Sequence, residues 1–123
     1  MAANKVIRFG PAALANSAAN IVNCNVSSLS GPVGFTMTQP YLIIKHIRLV
    51  NKTASAATAT LYIGATGGSA AGTEFLGVLI SIAANSALDW YGQLRLDAAD
   101  FLTGLASAAT TITFEAEGEI GLV

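Results

Sequence analysis

One stretch of the chain constrains its fold more than any other, because it is apolar on both sides of an extended backbone. Residues 41–51 read Tyr-Leu-Ile-Ile-Lys-His-Ile-Arg-Leu-Val-Asn and are rich in β-branched and aromatic side chains. This composition predicts a central β-strand. Strict alternation divides it into two faces, one with Tyr41, Ile43, Ile47 and Leu49, the other with Leu42, Ile44, His46, Arg48 and Val50. A strand of this kind suits a position between a core and a second protein surface.

The other apolar stretches are short, and most of them alternate with polar residues. They predict strands at 19–26, 33–38, 57–64, 74–82, 88–96, 101–106 and 110–120, separated by Gly, Ala, Ser and Asn turns. No segment shows a convincing helical pattern. The sequence therefore predicts an all-β, single-domain antiparallel β-sandwich of jelly-roll or immunoglobulin-like type.

Three pairing and packing predictions are specific enough to be tested. Strands 41–51 and 57–64 are expected to pair as a hairpin through the turn at 52–56. Trp90 is expected to be the largest single core anchor, because a buried indole contributes more apolar area than any other side chain. In the last long strand, the residues expected to face inward are Ile112, Phe114, Ala116 and Ile120.

The beginning of the chain is predicted to differ from the rest. Residues 5–9 form a short strand or an extended arm that ends at Gly10 and Pro11, and the arm is preferred. Residues 11–17 are rich in Ala and could form one helical turn, but they lack a long apolar face. The expected division is an N-terminal arm at 1–18 and a sandwich domain at 19–123.

The charge content points to assembly. Only 11% of the residues are charged and the formal net charge is -1, against about 25% charged residues in an ordinary soluble domain. A monomer usually needs a mixed charged surface to stay soluble, so part of this protein's surface is expected to be covered by copies of the chain or by a partner.

The six basic residues do not form the basic cluster that binding to nucleic acid requires. The apolar runs are too short to cross a membrane, and residues 1–20 lack the continuous apolar stretch of a signal peptide.

No pattern in the chain indicates catalysis, a cofactor or a metal. His46 is the single histidine and Cys24 the single cysteine, and neither lies in a nucleophile motif or in a metal-ligand spacing. Asp97 and Asp100 flank a turn and are interpreted as local hydrogen-bonding residues. The sequence therefore predicts a protein that is not an enzyme.

Two further patterns have an ordinary interpretation beside a functional one. The Gly-rich segment 64–72 lacks the spacing of a phosphate-binding loop and is interpreted as a surface loop. The glycosylation patterns at Asn25 and Asn51 are common by chance, and no secretion signal accompanies them.

Three glutamates occupy every second position near the end of the chain. Glu115, Glu117 and Glu119 should therefore share one face of the last strand. They form either a solvated edge that deters aggregation or a row that meets basic groups of a neighbouring subunit or partner shell. The candidate interface residues are Lys5, Arg8, Lys45, Arg48, Glu115, Glu117 and Glu119.

A resemblance to a known group of proteins covers residues 41–118. It is carried by the succession Ile47-Arg-Leu-Val-Asn-Lys-Thr53, Ala59-Thr-Leu-Tyr-Ile63, Ala84-Asn-Ser-Ala-Leu-Asp-Trp-Tyr-Gly92 and Leu96-Asp-Ala-Ala-Asp-Phe-Leu102. This pattern of strands and turns resembles small β-sandwich virion proteins of tailed bacteriophages, which include capsid decoration (cement) proteins and related head or tail accessory proteins. The resemblance implies a non-enzymatic dimer or trimer on the outer surface of an icosahedral head, where it binds the major capsid protein and stabilises the shell.

The alternative function is a tail or fibre accessory protein, or a carbohydrate-binding sandwich module. Sugar binding would be indicated if Tyr41, Tyr62 and Tyr91 formed an exposed aromatic platform.

Overall fold

The computed structural model describes residues 5–23, 40–65, 72–97 and 100–122. The regular secondary structure in these ranges is β-strand throughout: β1 (Lys5–Ala13), β2 (Ala19–Asn23), β3 (Pro40–Asn51), β4 (Ala57–Ala65), β5 (Glu74–Ile82), β6 (Ser86–Leu96), β7 (Asp100–Ala106) and β8 (Ile112–Leu122). Within these described ranges, no helix is long and apolar enough to cross a membrane. The predicted strand at 33–38 and Cys24 lie outside the described residues.

The strands form two four-stranded antiparallel sheets that pack face to face. One sheet has the order β1-β8-β3-β6, and the other has the order β2-β7-β4-β5. The all-β, single-domain antiparallel sandwich predicted from the sequence is therefore confirmed. Of the two connection patterns that the sequence left open, this order is that of an eight-stranded jelly roll.

The core lies between the sheets and draws on both. In the first sheet, β8 buries Ile112, Phe114, Ala116 and Ile120, as predicted from their alternation. In the second sheet, Leu61 of β4 and Leu102 of β7 are completely buried. Among the described residues, Phe114 is the largest fully buried side chain.

Trp90 does not have the central role predicted for it. It is half-buried and packs at the margin of the core, with its ring edge-to-face with Phe75 at a centroid distance of 5.0 Å. The prediction was wrong because β6 is the outer strand of its sheet, so that half of β6 extends past the edge of the core. Leu94 and Leu96, nearer the other end of the strand, are buried as expected.

The predicted hairpin between β3 and β4 does not form. β3 pairs with β6 and β8, whereas β4 pairs with β5 and β7 in the other sheet. Residues 52–56 therefore cross from one sheet to the other. Among the described strands, β4 and β5 are the only pair that are both consecutive in the chain and hydrogen-bonded to each other.

A buried asparagine fixes this crossing. Asn51 is completely buried, and its Nδ2 donates to the carbonyl oxygens of Ser55 at 2.8 Å, Ile82 at 3.0 Å and Ala83 at 3.2 Å. Its Oδ1 accepts from the backbone N–H of Thr53 at 2.9 Å and from the Thr53 hydroxyl at 2.7 Å. Asn51 thus joins the end of β3 to the end of β5 across the two sheets. An amide nitrogen held in this way is not accessible for glycosylation, which favours the chance interpretation of that pattern.

The first described residues belong to the sandwich. β1 pairs with β8 along its length, and Ile7, Phe9 and Leu14 lie in the core. Residues 5–13, which the sequence assigned to an arm at 1–18, are therefore an outer strand of the first sheet. The Ala-rich segment after Gly10 continues β1 to Ala13 instead of forming a helical turn.

One extra residue in β3 changes which side chains face the core. Against β8, Ile44 pairs with Gly118 and His46 pairs with Glu117, so Lys45 has no partner and forms a β-bulge. Leu42, Ile44, Ile47 and Leu49 are consequently all buried. The strict alternation predicted for this strand was wrong because the bulge shifts its phase by one residue. Gly118 permits the close approach there, since a Cβ at Gly118 would lie 2.1 Å from the Ile43 carbonyl oxygen.

Candidate functional site: the outer face of the first sheet

The β3 bulge creates the main polar feature of the surface. Because Lys45 occupies an extra position, Lys45 and His46 both point away from the core. The neighbouring strands β8 and β6 place their own polar side chains beside them. We call this surface the charged face; its members are Arg8, Lys45, His46, Arg48, Asp89, Glu115, Glu117 and Glu119.

His46 stands at the centre of the charged face, between carboxylates from two strands. Its Nε2 lies 2.8 Å from Asp89 Oδ1 on β6, and its Nδ1 lies 3.1 Å from Glu117 Oε1 on β8. Its ring stacks on Tyr91 with a centroid distance of 4.6 Å and an interplanar angle of 14°. The hydrogen bond to Asp89, with a smaller contribution from Glu117, raises the pKa of His46 against the opposing effect of desolvation.

Asp89 is shared between His46 and an arginine. Arg48 Nε donates to Asp89 Oδ1 at 2.8 Å, and Arg48 Nη2 approaches Asp89 Oδ2 at 3.3 Å. The hydrogen bond from Arg48, followed by that from His46, lowers the pKa of Asp89 to about 2. Asp89 is therefore ionised at neutral pH and binds both Arg48 and His46.

The glutamate row on β8 does not lie at a sheet edge. β8 is flanked by β1 and β3, so the interpretation of the row as a solvated edge was wrong. Lys45 of the same chain forms an ion pair with Glu119, and Arg8 on β1 stands opposite Glu117 in register. Basic groups of this chain therefore already lie beside the row.

Glu115 differs from the other two glutamates. It is half-buried, and its Oε1 is buried without a hydrogen-bond partner. Three side chains each place one ligand atom within 4.8 Å of the other two: those of His46, Glu115 and Glu117. A carboxylate oxygen, a second carboxylate oxygen and an imidazole nitrogen are thus brought together by the pairing of β3 with β8.

Six of the seven candidate interface residues converge on this one surface. Arg8, Lys45, Arg48, Glu115, Glu117 and Glu119 all belong to the charged face, and Lys5 is placed only by its register opposite Ile120. The sequence analysis missed Asp89 and His46 as members, and it missed Tyr91 as the ring that stacks on His46. Alternation along β6 placed Asp89 and Tyr91 outward, but nothing in the sequence showed that β6 would pair with β3.

A second feature, apolar in character, lies on the outer strand β5 of the other sheet. Ala59 of β4 pairs with Ile80, and Leu61 pairs with Phe75, so Leu76–Leu79 form a four-residue excursion opposite Thr60. We call this segment the β5 bulge. Leu76 and Leu79 have positive φ angles of 77° and 51°, and the backbone N–H of Leu79 donates to Thr60 Oγ1 at 3.0 Å. Val78 and Leu79 are 63% and 61% exposed.

The remaining candidates have local structural roles. The backbone N–H of Asp97 donates to Asp100 Oδ2 at 2.9 Å, and that of Asp100 donates to the Asp97 carbonyl oxygen at 2.9 Å. This agrees with the interpretation of the two aspartates as turn residues.

The three tyrosines do not form one platform. Tyr62 is on β4 of the second sheet, whereas Tyr41 and Tyr91 are on β3 and β6 of the first. The Arg95 guanidinium covers the Tyr41 ring at 4.5 Å from its centroid, and only Tyr91 is strongly exposed, at 72%.

Comparison of the chain with protein-family models, with curated protein sequences and with solved structures found no match.

Proposed function

We propose that this protein is a structural component of a tailed-bacteriophage virion, a decoration protein that binds the outer surface of the icosahedral head as a dimer or trimer. The proposal rests on the resemblance of residues 41–118 to small virion sandwich proteins, on the low charge content and on the jelly-roll strand order. Jelly rolls occur in capsid proteins but also in lectins and cupins, so the strand order alone does not distinguish these functions.

The observation that carries the proposal is the β5 bulge. A leucine in the left-handed region costs roughly 1–2 kcal/mol, and this segment holds two of them. The conformation directs two adjacent apolar side chains, Val78 and Leu79, into solvent from the edge of a sheet. A costly conformation that exposes apolar side chains is explained by a partner surface that covers them.

The partner in this proposal is the major capsid protein or an adjacent copy of the chain. The apolar contact would come from the β5 bulge, and the charged face on the opposite sheet supplies the second candidate contact. Because the charges of that face are largely paired within the chain, they would contribute orientation more than affinity. A protein that binds only the assembled shell shifts the equilibrium against disassembly by mass action.

The test is cosedimentation of the purified protein with undecorated, expanded capsids. We expect saturation at a fixed number of copies that matches the two-fold or three-fold positions of the shell, together with a higher capsid melting temperature. Replacing Val78 and Leu79 together by serine should reduce the bound copies without unfolding the protein. The control is Asn20→Ser, at an exposed position of β2, the other outer strand of the same sheet, which should leave the number of bound copies unchanged. Absence of cosedimentation at micromolar concentration would refute the head location.

The alternative, a tail or fibre accessory protein or a carbohydrate-binding module, has one supporting feature. Tyr91 stacks on His46 and presents an exposed aromatic ring. An exposed ring of this kind is a surface on which a sugar can stack. A trimer that binds host-cell glycans, and that loses this binding in Tyr91→Ala, would favour this function over shell decoration.

A further inference from the structure

We propose that His46, Glu115 and Glu117 form a binding site for a divalent transition-metal ion of the Zn²⁺ type. The three residues come from two neighbouring strands, and one ligand atom of each lies within 4.8 Å of the others. The site does not depend on the function proposed above, because it rests on the geometry of the charged face alone.

The orientation of His46 favours metal coordination through Nδ1. In metal sites, the imidazole nitrogen that does not bind the metal usually donates its N–H to a carboxylate, which fixes the tautomer. Asp89 Oδ1, 2.8 Å from Nε2, is placed to accept that hydrogen bond, and Arg48 holds Asp89 in turn. When Nε2 carries the hydrogen, the lone pair of Nδ1 points towards Glu117. Stacking on Tyr91 limits rotation of the ring.

Glu115 supplies the independent observation. Its Oε1 is buried without a hydrogen-bond partner, which is costly for a carboxylate. The neighbouring cations on β3 are engaged elsewhere, since Arg48 binds Asp89 and Lys45 binds Glu119. A metal ion beside His46 and Glu117 would give this oxygen an electrostatic partner.

The donor set indicates the class of metal. One imidazole nitrogen with two carboxylate oxygens suits Zn²⁺ and related ions, whereas Ca²⁺ and Mg²⁺ prefer oxygen-only sites. In a tetrahedral zinc site the ligand atoms are about 3.3 Å apart, so the side chains must move closer together. Glu117 can do so, because its side chain is 55% exposed. A water molecule would complete the coordination.

The experiment is a titration of the tag-free full chain, stripped with a chelator, with Zn²⁺ in a calorimeter. The protein carries the Cys24→Ser substitution, since the cysteine is the other strong zinc ligand type in the sequence. We expect one site with a Kd at or below about 10 μM. His46→Gln and Glu117→Gln should each abolish saturable binding, and Asp89→Asn should weaken it by about 10–100-fold. Glu119→Gln, on the same strand and face but outside the cluster, is the matched control and should bind as the parent does.

A spectroscopic readout separates this site from adventitious binding. His46 is the single histidine of the chain, so the imidazole ¹⁵N resonances report on it alone. Zn²⁺ should shift the Nδ1 resonance and leave Nε2 protonated. Absence of saturable binding up to about 1 mM Zn²⁺, or binding that persists unchanged in His46→Gln, would overturn the proposal.

Discussion

Asn51 is a single side chain on which both sheets depend. Its amide makes five polar contacts, to the crossing at 53–55 and to the end of β5. Leaving buried carbonyl groups without donors costs about 1–3 kcal/mol per group. One polar residue therefore determines where the chain leaves the first sheet.

We expect Asn51→Ala to lower the free energy of unfolding by about 2–4 kcal/mol, because it removes donors and acceptors from a buried position. Asn51→Asp should be at least as harmful, since its carboxylate would face three carbonyl oxygens. Urea denaturation measures both. Asn20→Ala, at an exposed position of β2, should change stability by less than about 0.5 kcal/mol. Equal effects of Asn51→Ala and Asn20→Ala would contradict the assigned role.

The protonation of His46 should make stability depend on pH. Because Asp89 and Glu117 raise the pKa of His46 in the folded state, the imidazolium stabilises the fold. This contribution is fully present below the unfolded-state pKa of about 6.5 and is lost as the pH rises through the folded-state pKa. Because Arg48 and His46 lower the pKa of Asp89 to about 2, its carboxylate stays ionised over this interval.

Urea denaturation in the presence of a chelator, from about pH 5.5 to 8.5, should show a decline in stability towards high pH that His46→Gln removes. A parent and variant with identical pH profiles would show that His46 contributes nothing to the dependence.

At the scale of elements, the β3 bulge allows both halves of the strand to direct their apolar side chains into the core. Deleting Lys45 removes the extra residue, and the register then forces either residues 41–44 or residues 46–51 onto the wrong face. We expect the deletion variant not to fold. Lys45→Ala keeps the bulge and loses only an exposed ion pair, which contributes at most about 1 kcal/mol. Circular dichroism and thermal melting distinguish the two, and a folded deletion variant would show that the bulge is dispensable.

β3 also shows which structural features could be predicted from the sequence and which could not. The composition of residues 41–51 predicted a two-sided central strand, which β3 is, and the alternation of β8 identified its buried side chains. The phase change at Lys45 was not predictable, because it depends on the close approach of Ile43 to Gly118 on a strand distant in sequence. The cluster around His46 was missed for the same reason, since its members meet only after β3, β6 and β8 pair.

Across the whole molecule, the strand order was the least predictable property. Short connections such as 52–56 suggested pairing between neighbours, but all described consecutive strands except β4 and β5 lie in different sheets. Local alternation reports which side of a strand is apolar and does not report which sheet the strand enters. The sandwich class could therefore be predicted, whereas its connections could not.

The placement of β1 in the first sheet gives a test at this scale. A chain that begins at Leu14 would lose Ile7 and Phe9 from the core and leave β8 with an open edge. Each of these side chains contributes about 1.5–3 kcal/mol by burial, a large share of the roughly 5–15 kcal/mol that stabilises a typical domain. We expect this truncated chain to be unfolded or aggregated, as judged by circular dichroism and light scattering. Arg8→Ala, on the outer side of the same strand, should remain folded. A stable truncated chain would contradict this role of β1 and would support the interpretation of these residues as an arm outside the sandwich.

The position of β8 between β1 and β3 also has a consequence for synthesis in the cell. β8 follows the other seven described strands in the chain, so a ribosome delivers it after all of them, although it is the strand that joins β1 to the sheet. At about 5–20 residues per second, the roughly 100 residues between β1 and β8 take on the order of ten seconds to make. During that interval Ile7 and Phe9 have no sheet to enter. The time for which nascent β1 is open to chaperones or to association with other chains is therefore set by translation and not by the folding rate of the domain.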